Sequence, residues 1–189
     1  KILKEFGCSS TLTTAKIGPN KGDKIKDNQN LFINKKGSEI NSNINFNIEN
    51  LTKSIRVIPG PQMNYFFPKM IKKFFNKSFI ISNSSNRMGV RLSGNICKAI
   101  KSHNIPSEGI IKGSIQVPGD GNPIILMNDH PTMGGYPKIA IVILTDLSKI
   151  AQLPIGSQIN FKQIPLKEAE ILYKDKIFNF NKQRKNIKI

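Results

Sequence analysis

The sequence predicts a mainly β protein, a β-barrel with a few short helices and one C-terminal helix. Two observations favour this fold class: the apolar runs are short, and turns rich in Gly and Pro separate them. Few segments show the apolar spacing of a helix. Many short strands with few helices are typical of barrels.

The chain divides into four predicted segments. Residues 1–35 read as short strands and turns that form the tail end of an N-terminal β unit, with LFI (31–33) as one strand. Residues 36–54 are an Asn-rich linker or loop, residues 55–180 are the barrel domain, and residues 181–189 are a basic tail.

In the first half of the barrel domain, SIRVIPGPQ (54–62) predicts a strand with Ile55 and Val57 on one face, ended by the Pro-Gly-Pro turn. FPKMIKKFFNK (67–77) predicts a short amphipathic helix with Pro68 in its first turn. Its apolar face comprises Met70, Ile71, Phe74 and Phe75. FIIS (79–82) predicts a strand, and SSNRMGVRLSG (84–94) predicts a polar turn followed by another strand.

In the second half, IAIVIL (139–144) predicts a buried strand, and Asp146 is predicted to open a short helix. The inward face of that helix comprises Leu147, Ile150 and Ala151. PIGSQINF (154–161) predicts an alternating strand with Ile159 and Phe161 inward. A closing helix packed on the barrel is expected to bury Leu166, Ala169, Tyr173, Ile177 and Phe180.

The net charge of +17 raises the possibility of a nucleic-acid or other anionic partner. The lysines are scattered, however, and no Arg-rich stripe, zinc-finger spacing or RNP-like motif accompanies them. A compositional drift toward Lys, Asn and Ile accounts for the charge, so nucleic-acid binding ranks last among the functional hypotheses.

Cysteine and histidine usage argues against a disulfide or metal protein. Cys8 and Cys97 form no CxxC pair, and the two histidines stand apart from any ligand pattern, so no metal site is predicted. HExxH, GxSxG and phosphate-loop motifs are absent from the sequence. With no apolar run of membrane-spanning length, we expect a soluble cytoplasmic protein.

Gly and Pro residues are most frequent in the segment from Gly113 to Ala140. Its glycines permit a close approach of backbone to a ligand, and Lys138 follows them at the start of a buried strand. A cation on a rigid support beside glycine turns could hold a carboxylate or phosphate. Two ordinary hairpin turns with solvent-facing side chains explain the same residues equally well.

Four stretches resemble one family: IRVIPGPQ (55–62), SSNRMGVRLSG (84–94), SEGIIKGSIQVPGDGNPIILMNDHPTMGGYPKIA (107–140) and DLSKIAQLPIGSQINF (146–161). It is the family of the 5-oxoprolinase C subunit, also called allophanate hydrolase subunit 2, which consists of biotin-dependent carboxyltransferase domains. The stretches occur in order and with the family's spacing from Ile55 to Phe161.

This resemblance implies a cyclophilin-like barrel and a role as the C-terminal portion of an ATP-dependent 5-oxoprolinase subunit. The implied partners are an allophanate hydrolase subunit 1-like protein (the 5-oxoprolinase B subunit), a third subunit and a separate N-terminal half. The complex would use ATP, which is not placed on this chain. Alternatives are a urea carboxylase or allophanate hydrolase-type component working with biotin, a non-catalytic regulator that binds a subunit 1-like kinase inhibitor, or an inactive gene fragment.

The resemblance also marks site residues. Lys138 and Arg87 would bind anionic oxygens, Tyr136 would position a substrate amide, and Glu108 or Asp120 would orient the cations. The catalytic candidates are therefore Lys138, Tyr136, Arg87 and Glu108, and the substrate-binding candidates are Gln116, Asp120, Gly134 and Gly135. For each residue, a purely structural role in the turns remains the alternative.

The sequence departs from the family pattern in several places. The family has a longer N-terminal part, Asn86 stands where Asp is common, Val90 where Tyr is common, and Met133 where Thr is common. These differences keep a split-gene or decayed product open. The choice among 5-oxoproline, urea and allophanate as substrate is also left open by the sequence.

Overall fold

The structure is a computed structural model that describes residues 7, 10–13, 15–30, 52–94, 98–99 and 102–186. The chain forms two compact units, one of residues 1–44 with residue 189 and one of residues 45–188. Cys8, Cys97, the predicted strand at 31–33 and nearly all of the predicted linker lie outside the described residues.

The described part of the first unit consists of turns. Leu12 and Ile17 form an isolated antiparallel bridge, and Asn20–Gly22 form one turn of 3-10 helix. Asn20 and Lys21 adopt left-handed backbone conformations, which are uncommon for residues with a Cβ. Side-chain bonds from Asn20 to the carbonyl oxygens of Asp23 and Lys24, at 3.2 and 3.0 Å, satisfy the backbone of this turn.

The second unit contains nine strands and three α-helices among its described residues. The strands are β1 (Ser54–Pro59), β2 (Phe79–Ile81), β3 (Gly89–Ser93), β4 (Glu108–Gly109), β5 (Ser114–Gln116), β6 (Ile124–Leu126), β7 (Met133–Gly134), β8 (Lys138–Val142) and β9 (Gln158–Gln163). The helices are α1 (Pro68–Asn76), α2 (Leu144–Gln152) and α3 (Leu166–Asn186).

Seven of these strands form a closed barrel in the order β1-β8-β5-β6-β3-β2-β9. The barrel closes through β1 and β9, which pair in parallel with Ile55 opposite Phe161, whereas the other neighbours are antiparallel. Strands β4 and β7 pair with each other in a separate two-stranded sheet. The predicted mainly β barrel with a C-terminal helix is confirmed.

The barrel core contains the residues that the alternating patterns predicted. Ile55 and Val57 are fully buried, and Ile159 and Phe161 are almost fully buried. Helix α1 has Pro68 in its first turn, as predicted, and buries Phe74 against the barrel. The Phe74 and Phe161 rings stack with centroids 4.7 Å apart.

The start of α2 differs from the prediction. Strand β8 ends at Val142, and α2 begins at Leu144 after Ile143, so Asp146 lies within the first turn and does not cap the helix. Its carboxylate is fully buried and binds Arg56 of β1, at 2.6 Å from Nη2 and 2.9 Å from Nε. Ala151, which was predicted to face inward, is exposed because the inward face is occupied by Leu147 and Ile150.

Helix α3 is present, but it continues to Asn186, through most of the residues assigned to the basic tail, and its packing differs from the prediction. The helix contacts α2, where Lys176 Nζ donates to the carbonyl oxygen of Thr145 at 3.1 Å. The predicted burial is wrong because the helix packs beside α2 and does not lay its apolar residues on the barrel. Four of the five residues expected in the core are exposed, and only Ala169 is partly covered. The exposed residues are Leu166, Tyr173, Ile177 and Phe180.

Candidate functional site

The candidate site lies between the outer face of the barrel and the small β4–β7 sheet. Ile115 of β5 belongs to the barrel core, so its neighbour Gln116 faces the other side of the strand. In the register of β5 and β8, Gln116 pairs with Lys138, with a bulge just before Gln116. Both side chains contact residues of the small sheet, which covers this part of the barrel.

Lys138 is a buried cation in this arrangement. The residue is 3% exposed, and its Nζ lies 2.5 Å from Oε1 of Glu108 in β4. Apart from this ion pair, Nζ has no hydrogen-bond partner in the part of the chain that the structure describes. An ammonium group carries three donors, so the pair with Glu108 leaves donors for a ligand.

Glu108 is the more accessible partner of the ion pair, with a side chain that is 43% exposed. The hydrogen bond from Lys138 is the main cause that holds its pKa below the ordinary value, followed by the hydrogen bond from Gln62. Both bonds reach the same oxygen, Oε1. Glu108 is therefore ionised at neutral pH, with Oε2 as a remaining acceptor.

Gln62 completes the cluster, and sequence reasoning missed it. Its Nε2 donates to Oε1 of Glu108 at 2.8 Å, and its Oε1 accepts from the backbone N–H of Lys138 at 3.2 Å. One amide thus bridges the two members of the ion pair. The signal available in the sequence was the position of Gln62 at the end of the IRVIPGPQ stretch.

The Pro-Gly-Pro turn places Gln62 against β8. The backbone N–H groups of Gly60 and Gln62 donate to the carbonyl oxygens of Ile139 and Lys138 at 3.0 and 3.2 Å. A Cβ on Gly60 would overlap the Lys138 carbonyl oxygen and lie 2.7 Å from the Ala140 nitrogen. Only glycine allows this close approach, so the turn is held at a fixed distance from Lys138.

Gln116 supplies a second buried donor beside Lys138. The residue is 5% exposed, and its Nε2 has no hydrogen-bond partner among the described residues. A buried unpartnered amide N–H costs about 1–3 kcal/mol, which a ligand acceptor would offset. A Cβ on Gly134 of β7 would come within 2.7 Å of this Nε2, so glycine makes room for the Gln116 amide.

Replacing Gly134 with Ala is therefore expected to destabilise the unit by about 1–3 kcal/mol through overpacking. The added methyl would also press on Ile110 at 3.1 Å. The measurement is the free energy of unfolding by chemical denaturation. Gly109→Ala is the matched control, because it alters the same two-stranded sheet at a position with open space within 4 Å. Equal losses of unfolding free energy in the two variants would show that crowding of the Gln116 amide is not the cause.

The structure does not bring Arg87 to this cluster. The guanidinium of Arg87 forms a bidentate ion pair, or fork, with the carboxylate of Asp129: Nε lies 2.7 Å from Oδ2 and Nη2 lies 3.2 Å from Oδ1. Its side chain is 78% exposed. Gln116 pairs with Ile124, at one end of β6. Arg87 lies two residues before Gly89, which pairs with Leu126 at the other end of the same strand.

The cleft beside Arg87 is a separate feature of the barrel. It has a volume of about 450 Å³, an apolar floor that includes Val90 and Met127, and a polar rim that includes Asn86 and Arg87. The hydrogen bond from Arg87 is the main cause that holds the pKa of Asp129 below its ordinary value. The fork thus consists of two ionised groups that neutralise each other at the rim of the cleft.

The remaining predicted site residues lie in the turn that follows β5 and in the turn that precedes β8. Tyr136 is exposed, two residues before Lys138, and the Gly135 carbonyl oxygen accepts from the Ile105 N–H at 2.8 Å. Asp120 accepts hydrogen bonds from the backbone and side chain of Asn122, at 3.1 and 3.0 Å. The Asn122 side chain is the main cause that lowers the pKa of Asp120. Their predicted ligand contacts stay predictions.

Two negative findings apply to the described residues. They contain no group of three or more His, Cys, Asp or Glu side chains that could hold a metal ion. They also include no helix whose length and apolar character would allow it to cross a membrane.

A closed barrel whose buried Lys138 pairs with the half-exposed Glu108 of a small covering sheet defines a β-barrel domain with a candidate polar site. Comparison with known proteins shows which class this is. The family described as "Carboxyltransferase domain, subdomain A and B" matches residues 1–163. The chain belongs to this carboxyltransferase-domain family.

Relatives support the assignment. The chain is 39% identical to the C subunit of 5-oxoprolinase from Escherichia coli over 166 residues, which are 87% of this chain and 53% of the relative. It is 40% identical to the same subunit from Haemophilus influenzae over 115 residues, or 61% of this chain and 37% of the relative. The chain thus matches about half or less of the length of these relatives.

A solved structure supports the fold as well. The Kluyveromyces lactis urea carboxylase superposes with a TM-score of 0.75 at 25% sequence identity. The match covers 96% of this chain and 18% of that one.

Proposed function

We propose that this chain is the C-terminal portion of a subunit of an ATP-dependent 5-oxoprolinase, which cleaves 5-oxoproline to glutamate together with partner subunits. The proposed partners are an allophanate hydrolase subunit 1-like protein and a third subunit. The identity to the 5-oxoprolinase C subunit of two bacteria supports this proposal. We place the complex in the cytoplasm, as expected for an enzyme that consumes ATP.

The observation that carries the proposal is the juxtaposition of two buried donors and an ionised acceptor. Lys138 Nζ and Gln116 Nε2 lack a full set of partners among the described residues, and Glu108 Oε2 remains as an acceptor beside them. An amide edge, H–N–C=O, offers the complementary acceptor and donor. The lactam of 5-oxoproline has such an edge.

In this function, Lys138 and Gln116 would hold the carbonyl oxygen and stabilise the negative charge that develops on it. Glu108 would accept the N–H and fix the orientation of the ring. Tyr136 would position the substrate from the exposed side. Arg87 has no part in these contacts, because strand register separates it from Lys138 and its guanidinium pairs with Asp129. ATP would supply the driving force for ring opening, and its binding is not placed on this chain.

A second candidate is carboxyl transfer of the urea carboxylase type. The observation that favours it is the superposition with urea carboxylase over 96% of the chain. Biotin would then carry the carboxyl group. Its ureido ring presents the same H–N–C=O edge as urea, so the donors of Lys138 and Gln116 and the acceptor of Glu108 fit it.

The test is ATP hydrolysis by the chain co-expressed with its subunit 1-like partner, the third subunit and the part of the 5-oxoprolinase C subunit that the chain does not match. We expect stimulation by 5-oxoproline, with glutamate formed, and none by urea. Stimulation by urea that requires a biotinylated partner would favour the second candidate. Turnover that is the same with and without this chain would overturn both and leave a regulator or an inactive fragment.

A further inference from the structure

Gln62 bridges the two charged residues of the site from a third element. It lies in the turn after β1, whereas Glu108 lies in the small sheet and Lys138 begins β8. Because a backbone N–H only donates and a carboxylate only accepts, the amide has one orientation that satisfies both bonds. Its oxygen faces the Lys138 N–H and its NH₂ faces Glu108.

The same oxygen of Glu108 receives both the Gln62 amide and the Lys138 ammonium. These two donors fix the rotation of the carboxylate and direct Oε2 away from them. Lys138 is the charged group that contacts Glu108, and Gln62 is the neutral one. The half-exposed Glu108 side chain would otherwise have several rotamers available.

We propose that Gln62 is a positioning residue: it acts through Glu108 and Lys138 by holding the carboxylate in the orientation that leaves Oε2 for the ligand. The inference rests on the proposed function for the use of that oxygen. The bridging geometry itself is independent of the substrate. The rigid Pro-Gly-Pro turn, fixed to β8 by two backbone bonds, gives Gln62 the support that such a role needs.

The first test is an NMR titration of the Glu108 carboxyl carbon in the full chain, with the signal assigned by its loss in Glu108→Gln. Gln62→Met retains the length of the side chain and removes both polar groups. We expect a higher Glu108 midpoint than in the wild type, because the ionised form loses a donor. Gln62→Glu places a second carboxyl against Glu108. We expect two coupled midpoints, one of them above the ordinary range of Glu.

Gln158→Glu is the matched control, because it introduces the same charge at an exposed position of β9. We expect the Glu108 midpoint to stay at its wild-type value in this variant. An unchanged midpoint in both Gln62 variants would overturn the proposal, and so would an equal shift in the control. Far-UV circular dichroism checks that each variant is folded.

The second test uses the assembled complex. A positioning role predicts that Gln62→Met lowers kcat/KM by about 10-fold, as is common for residues that orient a ligand-binding group. The acidic limb of the pH profile should move to higher pH together with the Glu108 midpoint. A fall in kcat/KM without that movement would indicate a merely structural role and overturn the proposal. If the wild-type complex has no activity, the proposed function fails. The titration still tests whether Gln62 holds the Glu108 carboxylate.

Discussion

Lys138→Met is expected to reduce substrate-stimulated turnover of the assembled complex by at least about 100-fold, the usual loss when a group that stabilises a developing oxyanion is removed. Methionine retains the apolar stem of the buried lysine and deletes its charge and donors. The fold should survive, because Glu108 is half-exposed and can be hydrated once its partner is lost. The measurement is kcat with saturating substrate, alongside the thermal midpoint.

Lys162→Met removes a positive charge from an exposed position of β9 and is the matched control. We expect it to retain wild-type turnover. Full activity in Lys138→Met would show that the ion pair of Lys138 with Glu108 is only structural. The wild-type rate should also fall as the pH drops through the lowered pKa of Glu108, since protonation removes the acceptor and the ion pair.

Asp146→Asn is expected to lower the free energy of unfolding by about 3 kcal/mol, as for other disrupted buried ion pairs. The fully buried carboxylate accepts from the side chain and backbone of Arg56 and lies 3.0 Å from Nζ of Lys149. An amide cannot accept from all of these donors, and it leaves two cations near one another. Chemical denaturation at neutral pH measures the loss.

The pH dependence of stability provides a second signature of Asp146. Burial alone would raise the pKa of its carboxyl, but the hydrogen bonds from Arg56 and Lys149 outweigh burial and lower it. The stabilisation is therefore complete above the unfolded pKa of about 3.9 and is lost as the pH falls through the folded pKa. In Asp146→Asn this acid-dependent part should disappear.

Asp129→Asn tests the same chemistry at the surface. Arg87 and Asp129 form a similar fork, but solvent reaches both side chains. We expect little change in stability, because exposed ion pairs contribute little. An equally large loss in both variants would show that burial does not explain the effect at Asp146.

The barrel strands could be predicted because the alternation of apolar and polar residues identifies both the strand and its inward face. Alternation put Ile55 and Val57 in β1, and Ile159 and Phe161 in β9, on the inward face, where the structure has them. Helix α3 shows the limit of that rule. Helical spacing identified the helix but not its neighbours, since spacing says which residues share a face and not whether another element covers it.

The candidate site was predictable in part. The Gly-rich stretch pointed to Lys138, and the family resemblance added Glu108 and Gln116, which the structure brings together around the small sheet. Gln62 was not found because its partners lie 46 and 76 residues away, and only the closed barrel brings them close. Arg87 and Lys138 were grouped by motif, whereas strand register separates them.

The parallel pairing of β1 with β9 constrains how the protein is made in the cell. The first barrel strand ends at Pro59, but its parallel neighbour is complete only when Gln163 has been synthesised. At about 5–20 residues per second, the ribosome needs roughly 5–20 s to supply the intervening hundred residues. During that interval β1 presents an unpaired apolar edge, which is the kind of surface that chaperones recognise and that aggregates form from. The yield of soluble protein should therefore depend on growth temperature and chaperone supply as well as on the stability of the finished barrel.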